Sequence, residues 1–478
     1  VGGSTANVFT GLYAQTNGTT GIAFQNTTAS DNNAISQSTF AVVAPGAVAL
    51  SLDGGSSCTV TGVFVDIPTG IGLSMFNGGY STVQDSTFTT AGSGVLAVML
   101  NGSSDNTLRR LSVNNPSGDA FQALNSPRNR IDHSTFTTNS AYRAVYNNNS
   151  SSNTYDVILA SNPGGVAFLF YAGRNTTVSQ STMVSAGAGT AALQMTDTDS
   201  NTVTGSYLLS AAGHAAALDT TADFNTISQS TMVAANAGFA ALYMTNSDTN
   251  TVSGSFLYSP TGYGARFAAG ADYNTVSLST MVVDGAARYA LDINASTSNL
   301  VTGSYLENRA GTAANLVAGA NSNTLTLSTM TSQAAPAAVW LNASSLNTIS
   351  QSVISNSIGY GLRLDSANNN ALSQSTVTAP GGTTYALFLL GASSNSVTAS
   401  YLSAPSGAGV YLQSESNYNT IAQSTANSSM STWAALYITG SSYNIITQSW
   451  MTSPAGHGAY IWSGSEHNTV DRSTLTSA

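Results

Sequence analysis

Apolar and polar positions recur along the whole chain with a period of about two dozen residues. A repeat opens on a segment such as 201–208 (Asn-Thr-Val-Thr-Gly-Ser-Tyr-Leu), whose first residue we call the anchor. With the anchor as position zero, positions two and seven are apolar in most repeats, and Ser, Thr, Gly and Gln lie between them. Successive anchors are 23 to 26 residues apart, and they are residues 7, 33, 58, 81, 106, 129, 153, 176, 201, 225, 250, 274, 299, 323, 347, 370, 395, 419, 444 and 468.

The interior of each repeat predicts short β-strands. Apolar residues that alternate with polar ones are typical of a strand with one buried face. Another apolar segment follows after Gly, Pro or Ala, as in residues 240–244 and 289–293. Three short strands per repeat, separated by small or turn residues, are typical of one coil of a parallel β-solenoid. We therefore predict an all-β solenoid of about 20 coils in one continuous domain over residues 1–478.

Asn occupies 17 of the 20 anchors, and Cys58, Ser81 and Thr176 fill the others. In stacked parallel coils, equivalent residues lie about 4.8 Å apart. Asn tolerates a left-handed corner, and its amide both donates and accepts hydrogen bonds. We therefore predict an inward column of Asn side chains that joins coil to coil. The seven consecutive members at its centre are Asn201, Asn225, Asn250, Asn274, Asn299, Asn323 and Asn347.

The coils resemble those of the right-handed parallel β-helix repeat family. Members of that family carry Asn-x-Ile-x-x-(Asn/Ser)-x-Ile coils, as in residues 347–354 (Asn-Thr-Ile-Ser-Gln-Ser-Val-Ile) and 419–426 here. The chain is also similar to the long Ser/Thr/Asn-rich repeat arrays of bacterial surface proteins. The resemblance covers essentially the whole chain and implies a right-handed parallel β-helix. It leaves the function open, because the same fold hosts lyases, hydrolases, adhesins and scaffolds.

Position six alternates between Thr and a residue that is usually large, so the coils form ten two-coil repeats of about 49 residues. If position seven points inward, position six points outward. The large residues then either cover their Thr neighbours, form an association stripe on one face, or stack on sugars. The residues of this predicted stripe are Tyr207, Phe256, Tyr305, Tyr401 and Trp450.

Charge is scarce, and its sign excludes some partners. Only 7% of residues are charged, the net charge is −10, and all eleven basic residues are Arg. A chain without basic patches is not expected to bind nucleic acid or an anionic membrane surface. No apolar run approaches the roughly 20 residues of a membrane span, so we expect no membrane insertion. The single Cys58 excludes an internal disulfide.

The densest ionisable group occupies positions three and four of successive coils. Opposite charges on neighbouring strands stabilise a sheet by a few tenths of a kcal/mol each. We predict a structural charge ladder here, with a small binding or catalytic site as the alternative. The ladder residues are Asp85, Arg109, Arg110, Asp132 and His133.

The sequence offers little catalytic chemistry. Gly456-His457-Gly458 is similar to a short motif of polygalacturonase-like enzymes, but the adjacent Asp pair that those enzymes need is absent. The calcium-binding pattern Gly-Gly-x-Gly-x-Asp is absent too. We therefore predict no enzymatic activity, no catalytic residue, no cofactor and no metal site.

The first anchor is preceded by six residues and the last is followed by ten, which together make most of one coil. We therefore expect head-to-tail stacking into a homopolymer, unless the sequence is part of a longer repeat chain. The predicted function is an extracellular structural protein that assembles into a surface filament or sheath. The alternative is a surface adhesin or carbohydrate-binding β-helix with glycans as partners, followed by a polysaccharide lyase or hydrolase.

Overall fold

The computed structural model describes residues 1–17, 21–44, 46–334, 336–382 and 384–477. The chain is a right-handed parallel β-solenoid of about 20 coils, and its described residues contain no helix, so the predicted fold class is confirmed. Its residues group into two compact units, unit 1 (Val1–Ala235) and unit 2 (Asn236–Ala478). The single continuous domain stays a prediction.

Every coil of unit 1 except the last contributes a short strand to each of three parallel sheets, and the last coil contributes two strands to this unit. Sheet 1 takes the strand that follows the anchor, sheet 2 the next strand, and sheet 3 the last strand of the coil. Sheet 1 of unit 1 contains Val8–Thr10, Ala34–Ser36, Thr59–Thr61, Thr82–Gln84, Thr107–Arg109, Arg130–Asp132, Thr154–Asp156, Thr177–Ser179, Thr202–Thr204 and Thr226–Ser228. Sheet 2 contains Tyr13–Thr16, Thr39–Val42, Phe64–Ile67, Thr87–Thr90, Ser112–Asn114, Thr135–Thr137, Leu159–Asn162, Thr182–Ser185, Tyr207–Ser210 and Thr231–Ala234. Sheet 3 contains Ile22–Asn26, Ala47–Asp53, Gly70–Phe76, Leu96–Asn101, Asp119–Leu124, Val145–Asn148, Phe168–Tyr171, Leu193–Thr196 and Ala216–Asp219.

Unit 2 has three parallel sheets that are named in the same way. Its sheet 1 contains Thr251–Ser253, Thr275–Ser277, Leu300–Thr302, Thr324–Thr326, Thr348–Ser350, Ala371–Ser373, Ser396–Thr398, Thr420–Ala422, Ile445–Thr447 and Thr469–Asp471. Its sheet 2 contains Phe256–Ser259, Thr280–Val283, Tyr305–Asn308, Thr329–Ser332, Val353–Asn356, Thr376–Thr378, Tyr401–Ala404, Thr425–Ser428, Trp450–Ser453 and Thr474–Ser477. Its sheet 3 contains Ala240–Thr245, Tyr263–Ala268, Leu291–Asn294, Ala314–Val317, Ala337–Asn342, Tyr360–Asp365, Leu387–Leu390, Val410–Gln413, Ala434–Thr439 and His457–Trp462.

The apolar positions of the repeat form the core of each unit. In unit 1, Val203 at position two and Leu208 at position seven are fully buried, and in unit 2 the equivalent Val252 and Leu257 are too. Their neighbours along each strand point outward, because successive side chains of a strand lie on opposite faces. Burial of this period-two pattern sets the register, since a slip by one residue would expose the core side chains.

The coils turn at residues with left-handed backbone. In the coil that starts at Thr176, Gln180 has a φ of 47° and Ser200 a φ of 57°. A second buried column stands beside one of these corners, at position five. There the backbone N–H of Ser279 donates to Ser304 Oγ at 3.2 Å, while Ser279 Oγ donates to the carbonyl of Ser277 at 2.8 Å. The sequence analysis did not predict this Ser column.

Candidate functional site

The predicted Asn column lies inside the coils. In unit 1 the backbone N–H of Asn201 donates to Asn225 Oδ1 at 2.9 Å. In unit 2 the same bond runs from Asn250 to Asn274, at 2.8 Å, and onward through each anchor to Asn468. All seven residues that the sequence singled out are at most 1% exposed. Their amides therefore face backbone and one another rather than a ligand.

The predicted stripe lies on the outer face of sheet 2. In unit 1, Tyr207 is in register with Thr182 and Thr231. In unit 2, Tyr305 is likewise in register with Thr280 and Thr329. The alternation of large and small residues therefore lies on one face in both units. A role in association stays a prediction for the five rings, which are 38 to 55% exposed: Tyr207, Phe256, Tyr305, Tyr401 and Trp450.

The predicted charge ladder forms ion pairs on the surface of unit 1. Arg110 makes a bidentate pair with Asp85, at 2.5 and 2.8 Å. Asp132 lies in register with Arg109, 3.9 Å from its Nε, and His133 Nδ1 lies 3.4 Å from the same carboxylate. The shortest partner of Asp132 is Arg130, at 2.8 Å, which the sequence analysis did not single out.

A different surface, the outer face of sheet 3 in unit 2, combines aromatic and polar side chains more densely. We call the in-register residues Phe388, Tyr411, Tyr437 and Tyr460 the aromatic ladder. Consecutive ring centroids along it are 5.5, 4.9 and 5.1 Å apart. Side chains at this spacing pack edge-to-face or offset, which aromatic rings prefer.

Three more rings flank the aromatic ladder and hold it in place. Tyr385 lies 5.3 Å from Phe388 and 5.2 Å from Trp433, and Tyr360 lies 5.2 Å from Phe388. Burial among these rings raises the pKa of the Tyr385 phenol. The hydroxyl is therefore a neutral hydrogen-bond donor over the whole physiological pH range.

A polar row accompanies the ladder on the same face. Residues two positions further along a strand point to the same side of a sheet. Gln413 and Thr439 stand in this relation to Tyr411 and Tyr437 and form the row. The in-register residue before Gln413 is the apolar Leu390, and Asp365 lies one coil earlier. Rings and hydrogen-bonding groups thus lie side by side in two neighbouring coils.

The ladder register continues into a charged groove. The in-register residues before Phe388 are Arg363, Trp340, Asn315, Asp292 and Arg266. Arg363 is held by Asp365 at 2.8 Å, and the indole N–H of Trp340 donates to the same carboxylate at 3.0 Å. Beyond them lies an open groove of about 560 Å³, lined by Asn315, Asp292 and Arg266 among others.

Asp292 is the buried carboxyl of this groove and is only 2% exposed. Asn315 Nδ2 donates to Asp292 Oδ1 at 2.8 Å. Arg266 Nε lies 3.2 Å from Asp292 Oδ2, but its N–H points aside, so the pair is electrostatic and lacks a hydrogen bond. Burial raises the pKa of Asp292, and the Asn315 hydrogen bond and the charges of Arg266 and Arg288 only partly oppose it.

Sequence analysis missed this surface because it counted forward from each anchor. The ladder residues lie 16 to 18 positions after the preceding anchor, so no single position collects them. Counted backward, they lie seven or eight residues before the next anchor. The second strand segment that the sequence analysis noted at residues 240–244 and 289–293 contains this position. Counting from the following anchor would have brought the four rings to within one position of each other.

Comparisons with known proteins place the chain in a family. Its sequence matches the family described as right-handed β-helix region over residues 16–183 and 319–475. The chain belongs to this right-handed β-helix family. The family resemblance drawn from the anchor motif is thereby confirmed. No curated protein matches the chain.

Solved structures with a similar fold share little sequence with this β-helix chain. A chain of the Vag8–C1 inhibitor complex is 11% identical, over 96% of this chain and 100% of that one, with a TM-score of 0.50. The tailspike of E. coli bacteriophage HK620, solved with a hexasaccharide, is 12% identical over 77% of this chain and 71% of its own, with a TM-score of 0.34. DFA-IIIase from Arthrobacter chlorophenolicus A6 is 11% identical over 66% and 86%, with a TM-score of 0.41. These likenesses concern the fold alone.

One prediction needs correction. The sequence analysis excluded enzymatic activity, and that exclusion is wrong, because the solved structures with a similar fold include the enzyme DFA-IIIase. The lack of an adjacent Asp pair in the sequence therefore does not exclude enzymatic activity. Within the described ranges, no group of three or more His, Cys, Asp and Glu is arranged to hold a metal ion. The described residues also include no helix that is long and apolar enough to span a membrane.

Proposed function

We propose that this chain is an extracellular carbohydrate-binding β-helix and that it binds an extended glycan along the outer face of sheet 3 in unit 2. The observation that carries the proposal is the aromatic ladder with its parallel polar row. A sugar ring has an apolar C–H face and a rim of hydroxyls, so it is complementary to a ring flanked by hydrogen-bonding groups. Tyr411 with Gln413 and Tyr437 with Thr439 provide this combination in neighbouring coils.

The ladder also supplies preorganised rings. Tyr411 packs at 4.9 Å against Tyr437 and at 4.8 Å against Tyr385, so its orientation is set before any ligand arrives. Binding that orders few side chains loses little conformational entropy. The exposed parts of the rings form the kind of surface that marks an interaction site on soluble proteins.

A binding experiment tests the proposal. The Tyr411→Ala and Tyr437→Ala variants should each bind a glycan selected on an array about tenfold more weakly than the unsubstituted protein, because one aromatic contact contributes about 1 kcal/mol or more. Isothermal titration with the selected oligosaccharide measures the loss.

Tyr401→Ala provides the matched control, because this ring is 43% exposed but lies on sheet 2. It should leave the affinity unchanged. An affinity that falls for Tyr401→Ala and not for Tyr411→Ala would move the site to the predicted stripe. An array on which no glycan is retained would refute carbohydrate binding.

End-to-end assembly into a surface filament or sheath, the first prediction of the sequence analysis, stays a prediction. The exposed rings of sheet 2 and the low charge of the chain are compatible with association. Electron micrographs of the purified protein at increasing concentration check it, and only discrete particles at every concentration would contradict it.

A further inference from the structure

An uncompensated positive charge lies beside the groove at one end of the sheet 3 face, where Arg288 packs on Tyr263 of the groove lining. Ten of the eleven arginines lie within 4.0 Å of a carboxylate oxygen, and among the described residues Arg288 is the one that does not. Its Nε is buried and has no hydrogen-bond partner. In a protein of net charge −10, a lone cation that is half-buried and unpaired is unusual and calls for a partner.

Arg266 converges on the same place. The guanidinium carbons of Arg266 and Arg288 lie 4.8 and 5.2 Å from the ring centroid of Tyr263, so both cations pack on one ring. Two cations within reach of one ring repel each other, and Asp292 supplies a single negative charge that interacts with both. The cluster of Arg266, Arg288 and Asp292 therefore has a net charge of about +1 when the carboxyl is ionised.

The loop that carries Arg288 is held by hydrogen bonds to the side chain of Asn308. The buried Asn308 donates through Nδ2 to the backbone carbonyl of Arg288 at 2.5 Å and to that of Thr312 at 3.2 Å. The backbone N–H groups of Ala310 and Gly311 donate to its Oδ1 at 3.0 and 2.8 Å. The guanidinium is thus presented from a hydrogen-bonded loop that leads directly into the Leu291–Asn294 strand.

Arg363, on the same face of sheet 3, has a carboxylate partner of the kind that Arg266 and Arg288 lack. Arg363, in register with Trp340, is neutralised by Asp365 through Nε at 2.8 Å and through Nη2 at 2.8 Å. Arg266 has only the offset contact to Asp292, and Arg288 only the carbonyl of Ala287 at 3.2 Å. Apart from the Nη1 group of Arg288 that donates to Ala287, the terminal N–H groups of these two arginines have no hydrogen-bond acceptor among the described residues and are available to an acceptor from outside.

We propose that Arg266 and Arg288 form a subsite for an anionic substituent, a carboxylate or a sulfate, on the glycan bound along sheet 3. Both groups match the planar donor fork of a guanidinium and are attracted by the net positive charge of the groove. The inference rests on the proposed carbohydrate-binding function and specifies its ligand class as an acidic glycan. Asn315 and Asn342 line the same groove and supply amide groups for neighbouring hydroxyls.

Matched pairs of oligosaccharides test the subsite. A hyaluronan oligosaccharide is compared with its carboxyl-reduced form, and a dextran sulfate oligosaccharide with dextran of the same length. The protein should bind at least one charged member about tenfold more tightly than its neutral counterpart, because a hydrogen bond in which both partners are ionised is stronger than one to a neutral group. Which pair shows the preference distinguishes carboxylate from sulfate.

Arg288→Gln should remove that preference and leave the affinity for the neutral member within about twofold. Arg309→Gln is the matched control, because it removes an equal charge from unit 2 at a residue that is paired with Asp284 and Glu307. It should keep the preference for the charged ligand. Melting curves of both variants verify that each is folded.

Equal binding of charged and neutral ligands, or a preference that survives Arg288→Gln, would overturn the subsite. If neutral oligosaccharides still bound and Tyr411→Ala still weakened them, the proposed function would stand without it. If the charged preference depended on Arg288 while Tyr411→Ala had no effect, the subsite would stand and the aromatic ladder would lose its role.

Discussion

At the scale of single residues, the repeat supports a few side chains whose environments differ sharply from those of their neighbours in the column. Asp292 is the clearest case. Its coil-to-coil neighbours on the outer face of sheet 3 are Arg266 and Asn315, both polar, yet the carboxyl itself is almost fully buried. Burial penalises the charged form of a carboxyl more than these partners stabilise it, so its pKa is raised.

The raised pKa of Asp292 predicts a pH dependence of stability. A carboxyl with a higher pKa in the folded state binds more protons when folded, so its contribution to the free energy of unfolding falls as the pH rises above its ordinary value of 3.8. Each tenfold change in proton affinity is worth about 1.4 kcal/mol. The protein should therefore lose stability relative to Asp292→Asn as the pH rises from about 4 toward neutral.

Urea midpoints of the two proteins, measured side by side across that pH range, check the prediction. Because every other ionisable group is shared, the difference between the curves isolates position 292. A difference that stays constant or changes in the opposite direction would contradict the raised pKa.

At the scale of elements, each coil depends on a left-handed corner between its strands of sheet 1 and sheet 2. In unit 1, Gly205 holds this corner with a φ of 56°, whereas Val157 holds the equivalent corner with a φ of 52°. Both donate the same backbone hydrogen bond, from Val157 to Ser179 and from Gly205 to Ser228, each at 3.0 Å. A β-branched residue in this region is strained, because its Cβ crowds the backbone.

Val157→Asn should therefore stabilise the protein by about 1 kcal/mol, since Asn tolerates the left-handed conformation and the 37% exposed Val side chain loses little burial. The shift of the urea midpoint measures the effect. Val184→Asn, at a half-buried outward position within a sheet 2 strand, should give no gain. Equal effects at both positions would show that side-chain polarity, and not the corner, is responsible.

At the scale of the molecule, stability is distributed coil by coil. Residues in a parallel solenoid contact mainly the neighbouring coils, about 24 residues away, so a defect weakens its surroundings more than distant coils. Phe121 is fully buried in unit 1 and packs 5.2 Å from Phe136 and 6.2 Å from Tyr155. Removing it affects a defined stretch of core.

Phe121→Ala should cost about 3–5 kcal/mol locally. Hydrogen exchange followed by mass spectrometry should show lost protection in residues 106–162 and unchanged protection in residues 323–420. Gln122→Ala, the outward neighbour on the same strand, should change neither stretch. Protection lost equally along the whole chain would show a single cooperative unit.

Much of the fold could be predicted because the same pattern of apolar and polar positions recurs in about twenty coils. Val203 and Leu208 are buried for the same reason as Val252 and Leu257, so the pattern itself revealed the core. The seven central Asn anchors are buried, and their role in joining the coils stays a prediction. The buried Ser at position five was missed, because a Ser at a strand end gives no sign of burial until Ser304 is seen to accept from the backbone of Ser279.

The candidate site could be predicted only in part. The rings of the predicted stripe can be recognised in the sequence, because they alternate with Thr at position six after the anchor. The aromatic ladder does not, because loops of different length precede its strands and move Tyr411 and Tyr437 to different positions after their anchors. No count along the sequence places Arg288 beside Arg266, because its position depends on the path of the loop before Leu291–Asn294.

The sequence by itself determined the all-β coil, its period, the buried positions and the scarcity of charge, because each follows from local alternation repeated at a nearly constant interval. Only the tertiary structure decided which outward residues meet. Coils of 23 to 26 residues absorb their extra length before sheet 3, so hydrogen-bonded register, and not the residue count, aligns the aromatic ladder and the arginine groove. The candidate site therefore lies where the repeat is least regular.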